Sequence, residues 1–133
     1  METIRGAIKP FDEQGGERFS LDGPDIGITS GAVIALAMTL NELCTNTTKF
    51  GALSKPSGKV AINWTIDGDT ERLHLAWREK GGPAVHAPTR RSFGTRMMEA
   101  LGHQLNGQVR LDYGTDGFVY TLQVPLKSLT TKA

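Results

Sequence analysis

The chain of 133 residues is long enough for one domain with a real core and too short for two ordinary ones. Its hydrophobic content of 38%, charged content of 22% and formal net charge of +1 describe a globular protein with no global pull toward nucleic acid, membrane or acidic substrate. The single cysteine, Cys44, excludes an intrachain disulfide. No apolar run reaches the roughly 18–20 residues of a membrane span, and no N-terminal stretch reads as a signal peptide, so a cytoplasmic location is expected.

In chain order, Glu2 to Phe11 reads as a short helix with Ile4, Ala7 and Ile8 on one face, ended by Pro10. Residues 1–17 are taken as an N-terminal segment and linker, the stub of a helix from a neighbouring domain. The main domain is expected over 18–126. Arg18 to Leu21 is a brief strand, turned by Asp22-Gly23-Pro24-Asp25, and Ile26 to Ile28 is a second short strand. Thr29 or Ser30 then caps a long helix, whose apolar positions Val33, Leu36, Leu40 and Leu43 recur at helical period with Met38 and Cys44 beside them. Gly51 stops it.

After a loop at Ser54 to Gly58, Val60, Ile62, Trp64 and Ile66 alternate with polar residues, and Leu73, Leu75 and Trp77 alternate again. Joined by Asp67-Gly68-Asp69, these runs form an antiparallel hairpin. Lys80 to Ser92, with Gly81-Gly82-Pro83 and Pro88, is a long loop. A second helix follows over Met97, Met98, Leu101 and Leu105. Two further strands carry Val109, Leu111 and Tyr113, then Phe118, Tyr120, Leu122 and Val124. The polar residues 127–133 read as a loose tail. Helices on one face of a mixed, mainly antiparallel sheet make a two-layer α/β sandwich of the α+β class.

Three places in this layout carry polar groups where an ordinary core element would not. Glu42, Asn46 and Lys49, spaced i, i+4 and i+7, line one face of the long helix. A solvated helix edge explains them, and so does a site for a phosphate–metal ligand, because carboxylate and amide oxygens suit Mg²⁺ and Lys49 near the helix end suits a phosphate. In Trp77 to Pro83, Glu79 occupies the inward register where the next apolar residue belongs. It suits an exocyclic amine, with Gly81 and Gly82 allowing close backbone approach; the alternative is a strand end emerging into solvent. Ser92 to Arg96 sets Phe93, Gly94 and Thr95 at the opening of a helix, where free N–H groups favour phosphate. A base at Glu79, phosphates at Gly94 and Thr95 and a metal at Asn46 together describe a nucleotide.

The ordered set N-E-L-x-T-N-x-x-K-F-G-A-L-S, W-x-E-x-G-G-P and R-R-x-F-G-T-R resembles the ATP-binding catalytic domain of the HWE group of sensor histidine kinases, members of the Bergerat-fold (GHKL) ATPases. The resemblance covers roughly Arg18 to Leu126. It implies an α/β sandwich that holds ATP and Mg²⁺ between helices and sheet. It further implies Asn46 as the metal-binding asparagine and Glu42 as the catalytic acid that polarises the acceptor histidine. Lys49 and Arg91 fall on the phosphate side, Glu79 at the adenine amine, and Gly81, Gly82, Phe93, Gly94 and Thr95 in the glycine boxes.

The chain departs from that pattern in three places. Asn41 stands where the group has the histidine of its name, Ser92 replaces a glycine, and Thr47 and Thr48 replace small alanines. None of His74, His86 or His103 sits in a dimerisation-helix sequence, so each reads as a surface or structural residue. The resemblance therefore implies a phosphotransferase that acts on a histidine-containing dimerisation domain elsewhere and feeds a response regulator. Autophosphorylation is not expected without that domain, nor is a nucleic-acid partner or a membrane span. A nucleotide-binding interaction module without turnover and an anti-sigma-type serine kinase on the same fold are the alternative readings.

Overall fold

The computed structural model describes residues 2–8, 18–83, 93–114 and 117–130. Helix α1 (Glu2–Ile8) is followed by strand β1 (Phe19–Asp22) and the 20-residue helix α2 (Ser30–Lys49). A 3₁₀ turn over Ala52–Ser54 leads into β2 (Lys59–Asp67) and β3 (Arg72–Lys80). Then come α3 (Phe93–Gln104), β4 (Gln108–Gly114), β5 (Gly117–Pro125) and α4 (Leu126–Thr130).

The strands form one sheet in the order β1-β2-β3-β5-β4. Only β1 and β2 run parallel, since α2 carries the chain from one to the other, while the remaining pairs are antiparallel. The expected hairpin pairs Trp64 with Leu75 and Ile62 with Trp77. Alternation places Val60, Ile62, Trp64, Leu73, Leu75, Trp77, Tyr120, Leu122 and Val124 on one face, all buried. The helices cover that face, giving the two-layer α/β sandwich that the periodicities anticipate. No helix among the described residues is long and apolar enough to cross a membrane.

Four details differ from the sequence reading. Residues 23–29 form no strand. There Trp64 Nε1 donates to Pro24 O at 2.6 Å and Gly23 lies against the indole, so close that a Cβ would overlap the ring. The segment is pinned by a side chain instead of a ladder, and Ile26 and Ile28 still pack on the core.

On α2 the buried stripe is Ala32, Ala35, Leu36, Thr39, Leu40, Leu43, Cys44 and Thr47. Val33 is half-buried and Met38 is exposed, because the stripe runs one position to the side of them. Helix α1 is part of the same core, with Ile4 and Ile8 buried against α2, and so is more than a linker. Residues 126–130 are likewise no loose tail: Leu129 is fully buried, and its carbonyl accepts the Thr29 N–H at 2.7 Å. That bond satisfies the N-cap residue of α2, whose own Oγ1 accepts from Ala32 N at 3.4 Å.

Candidate functional site

The C-terminal half of α2 presents Glu42 and Asn46 half-buried, with Lys49 exposed one turn further on. Their spacing puts them on one face, as the sequence requires. Among the described residues none of these three side chains has a hydrogen bond or ion pair. Half-buried side chains that take no partner from the described residues keep their oxygens available to a ligand. The helix ends where Phe50 N donates to Asn46 O at 2.8 Å and Gly51 N to Thr47 O at 3.1 Å.

Glu79, on the inward face of β3, is almost fully buried. Its carboxylate gathers three donors from three elements. Thr47 Oγ1 on α2 donates to Oε1 at 2.9 Å, and the Ala52 backbone N–H in the 3₁₀ turn donates to the same oxygen at 3.0 Å. Trp77 Nε1, two residues earlier on the same strand face, donates to Oε2 at 2.9 Å. Thr47 Oγ1 also accepts the Leu53 N–H at 3.2 Å. Of the roughly four acceptor positions of an ionised carboxylate, the described residues leave one for a further donor, at Oε2.

Glycines close this corner. Gly51 lies so near Glu79 Oε1 that a Cβ would overlap it, and Gly81 holds φ +78° against Ser57 and Gly58. Gly82 packs on Ala52. The chain's own packing thus accounts for Gly81 and Gly82 as glycines, whatever else approaches them.

Cys44 lies in the same helix, buried, and its thiol is pushed up to about 12 by burial, with the Glu79 charge adding to it. It is an inert core residue. Burial also raises the Tyr120 hydroxyl above its usual range, partly offset by its bond with Thr39.

Phe93, Gly94 and Thr95 form the first turn of α3, which packs beside α2. Thr95 is buried. Phe93 and Gly94 are placed by their backbone only, and Arg91, with Ser92 and His86, falls outside the described residues. The structure thus ties Thr47 near the end of α2 to Glu79 on β3, with Glu42 and Asn46 half-buried on the same half of α2 and α3 packed beside that helix.

Among the described residues, no group of three or more histidine, cysteine, aspartate or glutamate side chains is placed to hold a metal ion. A single amide or carboxylate oxygen completed by phosphate and water fits Mg²⁺ better than a dedicated cage would. A concavity of about 710 Å³ lies elsewhere, on the open face of the sheet between His74, Arg78, Arg110 and Thr121. It contains none of the expected site residues.

Thr47 is the site residue that sequence reasoning missed. It sits four residues after Leu43 on the buried face, so its burial was readable, but its partner is 32 residues away on β3.

No family model matches the chain. A blue-light-activated histidine kinase of Brucella anthropi is 36% identical over 123 residues, covering 90% of this chain and 25% of that protein. The blue-light-activated histidine kinase of Brucella abortus is 31% identical over the same length and coverage. The chain belongs to the sensor histidine kinase family. It spans about a quarter of the length of these curated relatives.

Solved structures give the fold. The blue-light-activated histidine kinase of Erythrobacter litoralis superposes with a TM-score of 0.76 at 18% identity, covering 94% of this chain and 40% of that one. The mycobacterial sensor histidine kinase MprB gives 0.71 at 16% identity, with 93% of each chain covered. The fold is that of a histidine kinase catalytic domain, and the corner around Glu79 joins two of its buried polar side chains, Thr47 and Glu79.

Proposed function

We propose that this histidine kinase domain binds Mg-ATP between α2, α3 and the sheet. It then transfers the γ-phosphoryl group to a histidine on a separate dimerisation domain, which feeds a response-regulator aspartate. We place it in the HWE group on its Trp77 and Glu79, Asn41 notwithstanding. The observation that carries the reading is the pair Glu42 and Asn46, half-buried on successive turns of α2 and without a protein partner among the described residues. Asn46 would hold Mg²⁺ through its amide oxygen, and the metal supplies charge neutralisation on the phosphates. Lys49 and the first turn of α3 suit the phosphates. Glu79 offers its free acceptor position to the adenine amine.

In the transfer, the bond from γ-phosphorus to the bridging oxygen breaks and its electron pair leaves with ADP. An imidazole nitrogen of the acceptor forms the new N–P bond, and Glu42 takes up the imidazole proton. Catalysis is otherwise positioning and electrostatics.

Calorimetric titration with Mg-ATP, followed by incubation with a supplied histidine-containing dimerisation domain, tests the reading. Submillimolar binding that Asn46→Ala weakens at least about tenfold, together with label on the acceptor histidine, is the expected result. Binding without transfer would leave the non-catalytic module, for which Asn41 speaks. No binding would sink the proposal.

A further inference from the structure

Thr47 is fully buried, and its hydroxyl has a fixed sense. Because Oγ1 accepts the Leu53 N–H at 3.2 Å, its own proton is directed to Glu79 Oε1. The Ala52 N–H fills the second position on that oxygen at 3.0 Å, and Trp77 Nε1 takes one position on Oε2. Left to itself, a glutamate carboxylate turns broadly about its last torsion. Here donors from a helix, a turn and a strand hold it in one plane. Oε1 is saturated, and a single acceptor position is left on Oε2.

One acceptor position matches one kind of base edge. Adenine presents an exocyclic amine, a single donor group, whereas guanine carries a carbonyl oxygen there and has its amine elsewhere. A carboxylate with one free position on each oxygen is a two-pronged acceptor, the form that pairs with two adjacent donors such as guanine's ring N–H and amine. Removing the Thr47 hydroxyl moves the first arrangement toward the second: it strips the carboxylate of one of its three anchors, so the group turns more freely about its last torsion and no longer presents one fixed acceptor position.

We propose that Thr47 is a positioning residue for base selection: acting through Glu79, it keeps the carboxylate a single-point acceptor and so favours adenine over guanine nucleotides. This rests on the ATP-binding reading above. Alanine, the residue the family resemblance leads one to expect at this position, lacks the hydroxyl, so the device belongs to this chain's own residues.

The test is the ratio of Mg-ATP to Mg-GTP affinity, measured calorimetrically on the parent, Thr47→Val and Thr47→Ser. Valine keeps the volume and removes the hydroxyl; serine keeps the hydroxyl. The parent should prefer ATP, Thr47→Val should lose about tenfold of that preference, and Thr47→Ser should stay within about twofold of the parent ratio. A role in stability alone leaves the ratio unmoved, because a smaller folded fraction weakens both nucleotides by the same factor. An unchanged ratio in Thr47→Val, a serine variant as relaxed as the valine one, or a parent that binds both nucleotides equally would overturn the inference and leave nucleotide binding standing. A parent that binds neither nucleotide would overturn both.

Discussion

The indole N–H of Trp77 donates to Glu79 Oε2 at 2.9 Å, two residues further along the same face of β3. Tryptophan and glutamate in the W-x-E motif are thus one buried unit. With Thr47 and Ala52 the unit ties the end of α2 and the following turn to the sheet. Trp77→Phe should therefore cost at least about 2 kcal/mol, the scale of a buried hydrogen bond to a charged group. Urea unfolding with an unchanged slope is the measurement, and an unshifted midpoint would mean the bond contributes nothing.

Glu79→Ala is the harsher change. It orphans the Trp77 indole, the Thr47 hydroxyl and the Ala52 N–H together, each at about 1–3 kcal/mol when buried without a partner. A loss of more than about 3 kcal/mol is expected, a large fraction of the stability of a small domain. The alanine variant is then a poor probe of nucleotide preference, since it fails in folding first. Full stability of Glu79→Ala would show that the carboxylate does not organise this corner.

Much of this was legible in the sequence. Alternation through Leu73, Leu75 and Trp77 carried Glu79 to the inward face without any structure, because a strand's period of two leaves no freedom. The spacing of Glu42, Asn46 and Lys49 fixed a shared helix face for the same kind of reason. Thr47 was not legible as a partner of Glu79, since the bond joins residues 32 apart and depends on how α2 is set on β3. Helix α4 was hidden because five residues are too few to show a helical period, and a single leucine there does the anchoring. Ile26 to Ile28 looked like a strand by composition, but the Trp64 indole and the Pro24 carbonyl decide that path.

Leu129 gives a third stability test. It is fully buried at the far end of α2, and its carbonyl receives the Thr29 N–H. Leu129→Ala should cost about 2–5 kcal/mol, as large-to-small changes in cores do. Thermal unfolding reads it, with a shift of several degrees expected at this chain length. An unchanged midpoint would show that residues 126–130 do not belong to the cooperative core.

Cys44 makes a prediction in pH. Its thiol titrates at about 12 in the folded protein against an ordinary 9.0, because burial and then the Glu79 charge disfavour the thiolate. Between those values the unfolded chain gives up the proton and the folded one keeps it. Stability from this group is therefore whole below pH 9 and falls as pH rises toward 12. Cys44→Ala should flatten that alkaline fall in urea unfolding midpoints between pH 9 and pH 11. Iodoacetamide at pH 8 should leave the native thiol unmodified by mass spectrometry and label it in denaturant. Rapid labelling of the folded protein would place the thiol at the surface.

Glu42 separates binding from chemistry. It stands one helical turn before Asn46, half-buried and without a protein partner among the described residues, so its carboxylate is available to the incoming acceptor. Glu42→Gln keeps the shape and removes the proton acceptor. If Glu42 accepts the imidazole proton during transfer, the variant should bind Mg-ATP within about threefold of the parent while the single-turnover rate of transfer to a supplied acceptor domain falls about 10²-fold or more. A Glu42→Gln domain that transfers as fast as the parent would remove Glu42 from the chemistry. One that lost ATP binding and transfer together would make it part of the nucleotide cradle instead.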